Sequence, residues 1–125
     1  MNKFIRYWLP VLAWMSMIFY LSSQSRLPVE MPAWVPFVDK LAHALVFGIL
    51  GLLFLRGWLE GNLEAVSTRV VWTAVLFTAL YGMTDEFHQI FVPGRSPSVF
   101  DLLADTLGAA VFCAAVYKWK TREKE

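Results

Sequence analysis

YWLPVLAWMSMIFYLSSQS, residues 7 to 25, decides the fold: it runs 19 residues without one charged side chain. A helix crossing the hydrocarbon core of a bilayer needs about 20 such residues. Pro10 falls in the first turn of this stretch, where a proline is tolerated because the missing N–H has no helical partner there. Cutting the rest of the chain at its charges yields three more apolar stretches, Leu41 to Leu55, Val70 to Thr84 and Thr106 to Tyr117. The connections carry turn chemistry. Arg26 to Pro36 holds Pro28, Pro32 and Pro36; Gly57 to Arg69 holds Gly57, Gly61 and Asn62; Val92 to Ser98 holds Pro93-Gly94 and Ser96-Pro97. Trp34 and Trp58 end apolar runs, as an interfacial aromatic belt would place them.

Composition agrees with lipid as solvent. Of 125 residues, 58% are hydrophobic and 17% charged, with a mean hydropathy of +0.51. A soluble domain of this size buries only about 60 to 70% of its unfolded surface, too little to hide so much apolar area. The expected architecture is therefore all-α: an integral membrane four-helix bundle forming a single domain over residues 1–125, with helices over about 5–25, 38–58, 69–91 and 97–118. A formal net charge of +1 supplies no long-range field for nucleic acid, which is not expected as a partner. The single cysteine, Cys113, excludes an intramolecular disulfide and reads as a small packing residue. Lys3 and Arg6 ahead of an apolar run also fit a secretory signal, but the run is longer than a signal core and no A-x-A-like site follows, so a retained span is expected.

The basic residues set the orientation. With four spans both termini share a side with Lys3, Arg6, Arg56, Arg69, Lys118, Lys120, Arg122 and Lys124, against Arg26, Lys40 and Arg95 opposite. Cytoplasmic loops carry the excess of Lys and Arg, which places both termini in the cytoplasm and the first and third loops outside.

The last three apolar stretches are short, and that defect is informative. Fifteen residues rise only about 22 Å and twelve about 18 Å, against a hydrocarbon core of about 30 Å. Asp39, Lys40 and Asp105 are thereby drawn toward the membrane, Asp105 some 10 Å deep by the same arithmetic. Charges at such depth cost a few kcal/mol or more, so they face the bundle interior, pair, and mark a functional site. Helices two and four run inward and helix three outward, so Asp39, Lys40, His43, Asp85, Glu86, His88, Gln89, Asp101 and Asp105 all fall in the outer half, with Arg95 in the third loop. Asp39 with His43, Asp85 with Gln89 and Asp101 with Asp105 are i, i+4 pairs, each on one helix face. Gly108 continues the last face and admits a close neighbour.

Structural readings compete for some of these residues. Asp39 can cap the second helix, and Ser98 with Asp101 resembles a capping box. His88 can lie on another face. Asp85 and Glu86 resist that explanation, because carboxylates are disfavoured at a helix C-terminus, and Asp105 lies two turns inside its helix.

Five carboxylates, Asp39, Asp85, Glu86, Asp101 and Asp105, against Lys40 and Arg95 leave an excess of three negative charges. Either protons are shared or a cation is bound. A hard divalent ion such as Mg²⁺ suits carboxylate oxygens, although no tight metal-ligand motif is present. Lys40, Arg95 and two outer helix N-termini suit an anionic head group. A membrane lipid or cell-wall precursor bearing phosphate satisfies both halves.

DKLAHALVFGILGLL, residues 39 to 53, and TDEFHQIFVPGRSPSVFDLLADTLGA, residues 84 to 109, resemble the VanZ-like family of bacterial membrane proteins, and FYLSSQS at the polar end of helix one extends the match to all four helices. The specificity lies in the combination of Asp39-Lys40, His43, Asp85-Glu86, Gln89, Pro93-Gly94-Arg95, Asp101 and Gly108. One departure is Asp105, where the family pattern commonly has Asn; it adds a negative charge. The resemblance implies a protein of the bacterial cytoplasmic membrane and cell envelope, in a family named for a member linked to resistance to the glycopeptide teicoplanin. It implies no reaction.

Three functions remain open from the residues. In a binding module, Lys40, Gln89, Arg95, Asp101, Asp105 and Gln24 contact the head group. In an enzyme, Asp85 or Glu86 is general base, His43 oriented by Asp39 is acid or base, and Lys40 and Arg95 clamp phosphate charge. No serine or cysteine with an adjacent base is evident, which argues against acyl transfer. In a purely structural reading the cluster fixes the bundle.

Overall fold

The computed structural model describes residues 1–25 and 36–125. The expectations for Arg26, Pro28, Pro32, Trp34 and most of the first connection lie outside the described residues. Those described are helical and carry no strand: α1, Lys3–Tyr7; α2, Leu9–Ser22; α3, Pro36–Trp58; α4, Thr68–Gln89; and α5, Val99–Arg122. A 3₁₀ turn, Leu63–Ala65, lies between α3 and α4. Two segments, Phe37–Trp58 and Val99–Arg122, are long and apolar enough by themselves to cross a membrane.

The expected first helix over 5–25 is instead two pieces that end at Ser22. Pro10 has no N–H to give the Arg6 carbonyl, so the helical ladder is broken there, and the Arg56 guanidinium donates to that carbonyl at 3.4 Å. Trp8 bridges the pieces, closing α1 with its N–H on the Phe4 carbonyl. The last helix runs to Arg122, past the expected 118, because Lys120 and Arg122 in its final turn suit the negative end of the helix dipole. Ser67 and Ser98 cap α4 and α5 by accepting from the amides of Val70 and Asp101.

The radial pattern is inside out. Along α4 the large apolar side chains Trp72, Leu76, Leu80, Met83 and Phe87 are exposed at helical spacing, and Ile90 just past its end continues the stripe, whereas Thr78, Gly82, Asp85, Glu86 and Gln89 are buried. On α5, Phe100 is 72% exposed and its neighbour Asp101 only 7%. Leu103, Leu107 and Val111 continue the outward stripe, and Asp105 is fully buried at 0% exposure. Water would reverse that arrangement; hydrocarbon favours it, because the ionisable groups are the ones that must leave the solvent.

Apolar burial gives little net drive between helices in lipid, so close packing and interhelical hydrogen bonds hold the bundle. Small residues line the α3–α5 contact. A β-carbon on Gly108 would meet the Ala44 carbonyl oxygen at 2.0 Å, and one on Gly51 would meet Ala109 at 3.1 Å. Trp14 donates its indole N–H to the Val46 carbonyl at 2.9 Å, and the Tyr81 hydroxyl donates to the Met15 carbonyl at 2.7 Å, tying α2 to α3 and α4. Val11, Ile18, Phe47 and Leu50 form one apolar core, and Phe54, Leu55, Val66, Ala74 and Cys113 form the other. Cys113 is thus a buried packing residue.

The two ends of the bundle differ chemically. At one end Lys3 pairs with Glu60, Lys120 pairs with Glu64 and Glu123, and Arg6 and Arg56 lie over the Tyr7 ring, all close to the chain termini. The Lys120 ammonium beside Glu64 holds that exposed carboxyl below the usual range. At the other end sit the buried acids.

Candidate functional site

Three helices bring the ionisable residues of the second end together. Asp39, Lys40 and His43 occupy the first turns of α3; Asp85, Glu86 and Gln89 occupy the last turns of α4; Asp101 and Asp105 lie on the inner face of α5. Helical spacing puts each of these sets on one side of its helix, with exposed apolar residues such as Leu41 and Leu45 of α3, Met83 and Phe87 of α4, and Leu103 and Leu107 of α5 turned away from it.

Lys40 bridges Asp101 on α5 and Asp39 on its own helix, the latter at 3.0 Å. His43 points past Lys40 to α5: its Nδ1 lies 2.9 Å from Asp105 Oδ1, and its Nε2 lies 3.7 Å from Asp101 Oδ2. The second separation is too long for a hydrogen bond. The partner that orients His43 is therefore Asp105 and not Asp39, as the sequence spacing suggested. Sharing a helix face brings Asp39 and His43 near one another, but the Asp39 carboxylate turns to the Lys40 ammonium while the imidazole reaches across the helix interface.

Glu86 has a split role. Its Oε2 accepts the Ser98 backbone N–H at 2.7 Å. That amide is the one a capping-box Asp101 would have taken, so Glu86 completes the cap of α5 from α4 and leaves Asp101 free for Lys40. Glu86 Oε1 and Asp105 Oδ2 are buried without a hydrogen-bond partner. Such oxygens cost more than paired ones, the more so when charged.

Arg95 is committed in a way its sequence position did not reveal. It donates from Nε to the Gln24 carbonyl at 2.8 Å and from Nη2 to the Leu21 carbonyl at 3.1 Å, which also accepts the Gln24 N–H at 3.2 Å, so the guanidinium caps the C-terminal end of α2. Gln24 contributes that carbonyl, while its side chain turns back to the Tyr20 carbonyl at 3.2 Å. The polar group that the end of α2 does insert is Ser22, buried, whose hydroxyl accepts from Gln89 at 3.2 Å. The FYLSSQS segment held the signal for it, but the register of two adjacent serines is not legible without the helix packing. His88 stays outside the cluster, stacked on Phe19 with ring centroids 4.5 Å apart.

A cleft of about 180 Å³ opens beside these groups. Asp39, His43, Asp85, Gln89, Arg95 and Ser22 form its polar wall; Ile18, Leu21, Val46 and Phe47 form its apolar wall. Lys40 and Asp101 stand behind it as an ion pair, and Glu86 and Asp105 lie deeper, against His43. Chemically the cleft offers carboxylate and amide acceptors, an imidazole and a guanidinium beside a greasy surface.

A family model described as VanZ/LLP1 matches residues 7–120. No curated protein and no solved structure matches the chain.

Proposed function

The chain belongs to the VanZ/LLP1 family, a membrane protein family linked to glycopeptide resistance, and from that premise we propose that its cleft binds a phosphate-bearing envelope lipid or cell-wall precursor from the outer leaflet of the bacterial cytoplasmic membrane. In this reading the chain is one domain of four spans with both termini in the cytoplasm. Two features support that topology. The outward apolar stripe of α4 gives this more polar helix a lipid-facing side, and the basic residues near both termini gather at the end away from the cleft.

The observation that carries the reading is the two-sided wall of the cleft. An amphiphile presents acyl or prenyl chains to Ile18, Leu21, Val46 and Phe47, and its head to the polar side. Asp39, Asp85 and Gln89 accept from sugar or other hydroxyls, while His43 and the Arg95 N–H groups not spent on the Gln24 and Leu21 carbonyls face phosphate oxygens. Lys40, paired with both Asp39 and Asp101, acts on the head group only through the field it sets.

Mass spectrometry of lipids retained through purification in mild detergent tests the reading. Wild-type protein should retain one phosphate-bearing head-group class well above its share of the membrane, and Asp85→Asn and Gln89→Ala, at normal protein levels, should lose it. A retained lipid profile equal to the bulk membrane, unchanged in both variants, would refute it.

A further inference from the structure

We propose that His43, Glu86 and Asp105 hold one divalent transition-metal ion, with zinc or manganese as the chemistry to expect. One donor atom from each of the three lies within 4.8 Å of the others. Bonds of about 2.1 Å to a tetrahedral ion place donor atoms roughly 3.4 Å apart, a difference that side-chain rotation closes. The residues come from α3, α4 and α5, so the ion would also tie three helices at their polar end.

Proximity of acids is not the argument. Glu86 Oε1 and Asp105 Oδ2 are buried and lack any hydrogen-bond partner, in residues only 8% and 0% exposed. The cations nearby are already used: Lys40 serves Asp39 and Asp101, and Arg95 serves the carbonyls ending α2. His43 alone is left for the inner pair of carboxylates. Two buried carboxylates, each with an oxygen lacking a partner, against one imidazole call for a further positive charge, which a divalent ion supplies.

The donor set also narrows the ion. Carboxylates alone would suit Mg²⁺, the divalent ion the sequence suggested; the imidazole nitrogen shifts preference toward a transition metal, zinc foremost, with manganese the one that best keeps the carboxylate preference. Three protein donors leave coordination positions for an exogenous group, and His43 is at once a donor and part of the cleft wall. The inference goes beyond the lipid-binding reading and stands or falls independently of it.

Tag-free protein in detergent, stripped with a chelator and dialysed against ZnCl₂, MnCl₂ or MgCl₂, provides the test through metal content and thermal midpoint. The expected result is about one zinc or manganese ion per chain, a raised midpoint on loading, and at least roughly tenfold weaker binding in Glu86→Gln and in His43→Ala. Glu86→Gln keeps an oxygen for the Ser98 amide and should fold as well as wild type without metal, which separates lost binding from lost structure. Cys113→Ala should bind normally. Substoichiometric binding by folded wild type, binding unaltered by Glu86→Gln and His43→Ala, or Mg²⁺ bound as tightly as zinc and manganese would overturn the inference.

Discussion

Replacing Gly108 by alanine should loosen the α3–α5 contact on which the whole polar end depends. The added β-carbon would fall 2.0 Å from the Ala44 carbonyl oxygen and 2.7 Å from the Ala44 backbone carbons. Those atoms belong to the α3 backbone and cannot rotate away. Carbon contacts settle at about 3.5 Å, so the helices must part by roughly 1.5 Å at this point. Overpacking of that kind costs about 3 kcal/mol at the upper end of its usual range, while alanine recovers about 1 kcal/mol of helix propensity. The net loss should be about 2 kcal/mol, roughly thirtyfold in the folding equilibrium. Ala44 follows His43 directly and Asp105 lies one turn before Gly108, so the 2.9 Å His43–Asp105 contact should open with the helices. Reversible unfolding in mixed detergent micelles reads the stability, and hydrogen exchange over residues 40–47 and 101–108 reads the local opening. Gly51→Ala is the comparison, since its β-carbon meets Ala109 at 3.1 Å and the clash is far milder. A Gly108→Ala protein as stable and as protected as Gly51→Ala would refute the packing argument.

Arg95→Ala should leave the Gln24 carbonyl without its donor and the Leu21 carbonyl with the Gln24 N–H alone, and cost about 2 kcal/mol, with faster hydrogen exchange at the end of α2; Arg95→Lys, with a point charge in place of the fork, should recover only part. Lys40→Met should destabilise by about 2 kcal/mol, between the values for exposed and buried pairs because the lysine side chain is 36% exposed. Adding Asp101→Leu to Lys40→Met should restore most of that loss in the same unfolding assay, and an additive pair of losses would show that the two do not act as a pair.

Helix existence and the identity of the polar residues were legible because both follow from charge placement along the chain. The run from Tyr7 to Ser25 has no charge, and the acids past Thr84 fall at spacings that share a face. Ends were less legible. Cutting stretches at charges stopped the last helix at about 118, whereas Lys120 and Arg122 extend it with their charges at the solvated end. Pro10 marked the break at Trp8 locally, but that the Arg6 carbonyl it leaves open is met by Arg56, fifty residues away, is carried by no local pattern. Partners inside the cluster were the hardest part. Spacing along α3 offered Asp39 to His43, but the helix crossing gave it Asp105; sequence offered Arg95 as a free clamp, but it caps α2. Spacing within one helix sets which residues share a face, while packing between helices sets which of them touch.

The central claim is that α4 and α5 turn their large apolar side chains to lipid and their acids inward. Spin labels placed one at a time at Leu76, Leu80, Phe87, Leu103 and Leu107, in a Cys113→Ala background reconstituted into vesicles, measure it through collision with dissolved oxygen and with a water-soluble nickel chelate. All five should be open to oxygen and shielded from the chelate, most strongly near the middle of each helix. Labels on these positions that collide freely with the chelate, or that neither reagent reaches because the sites are packed inside protein, would contradict it.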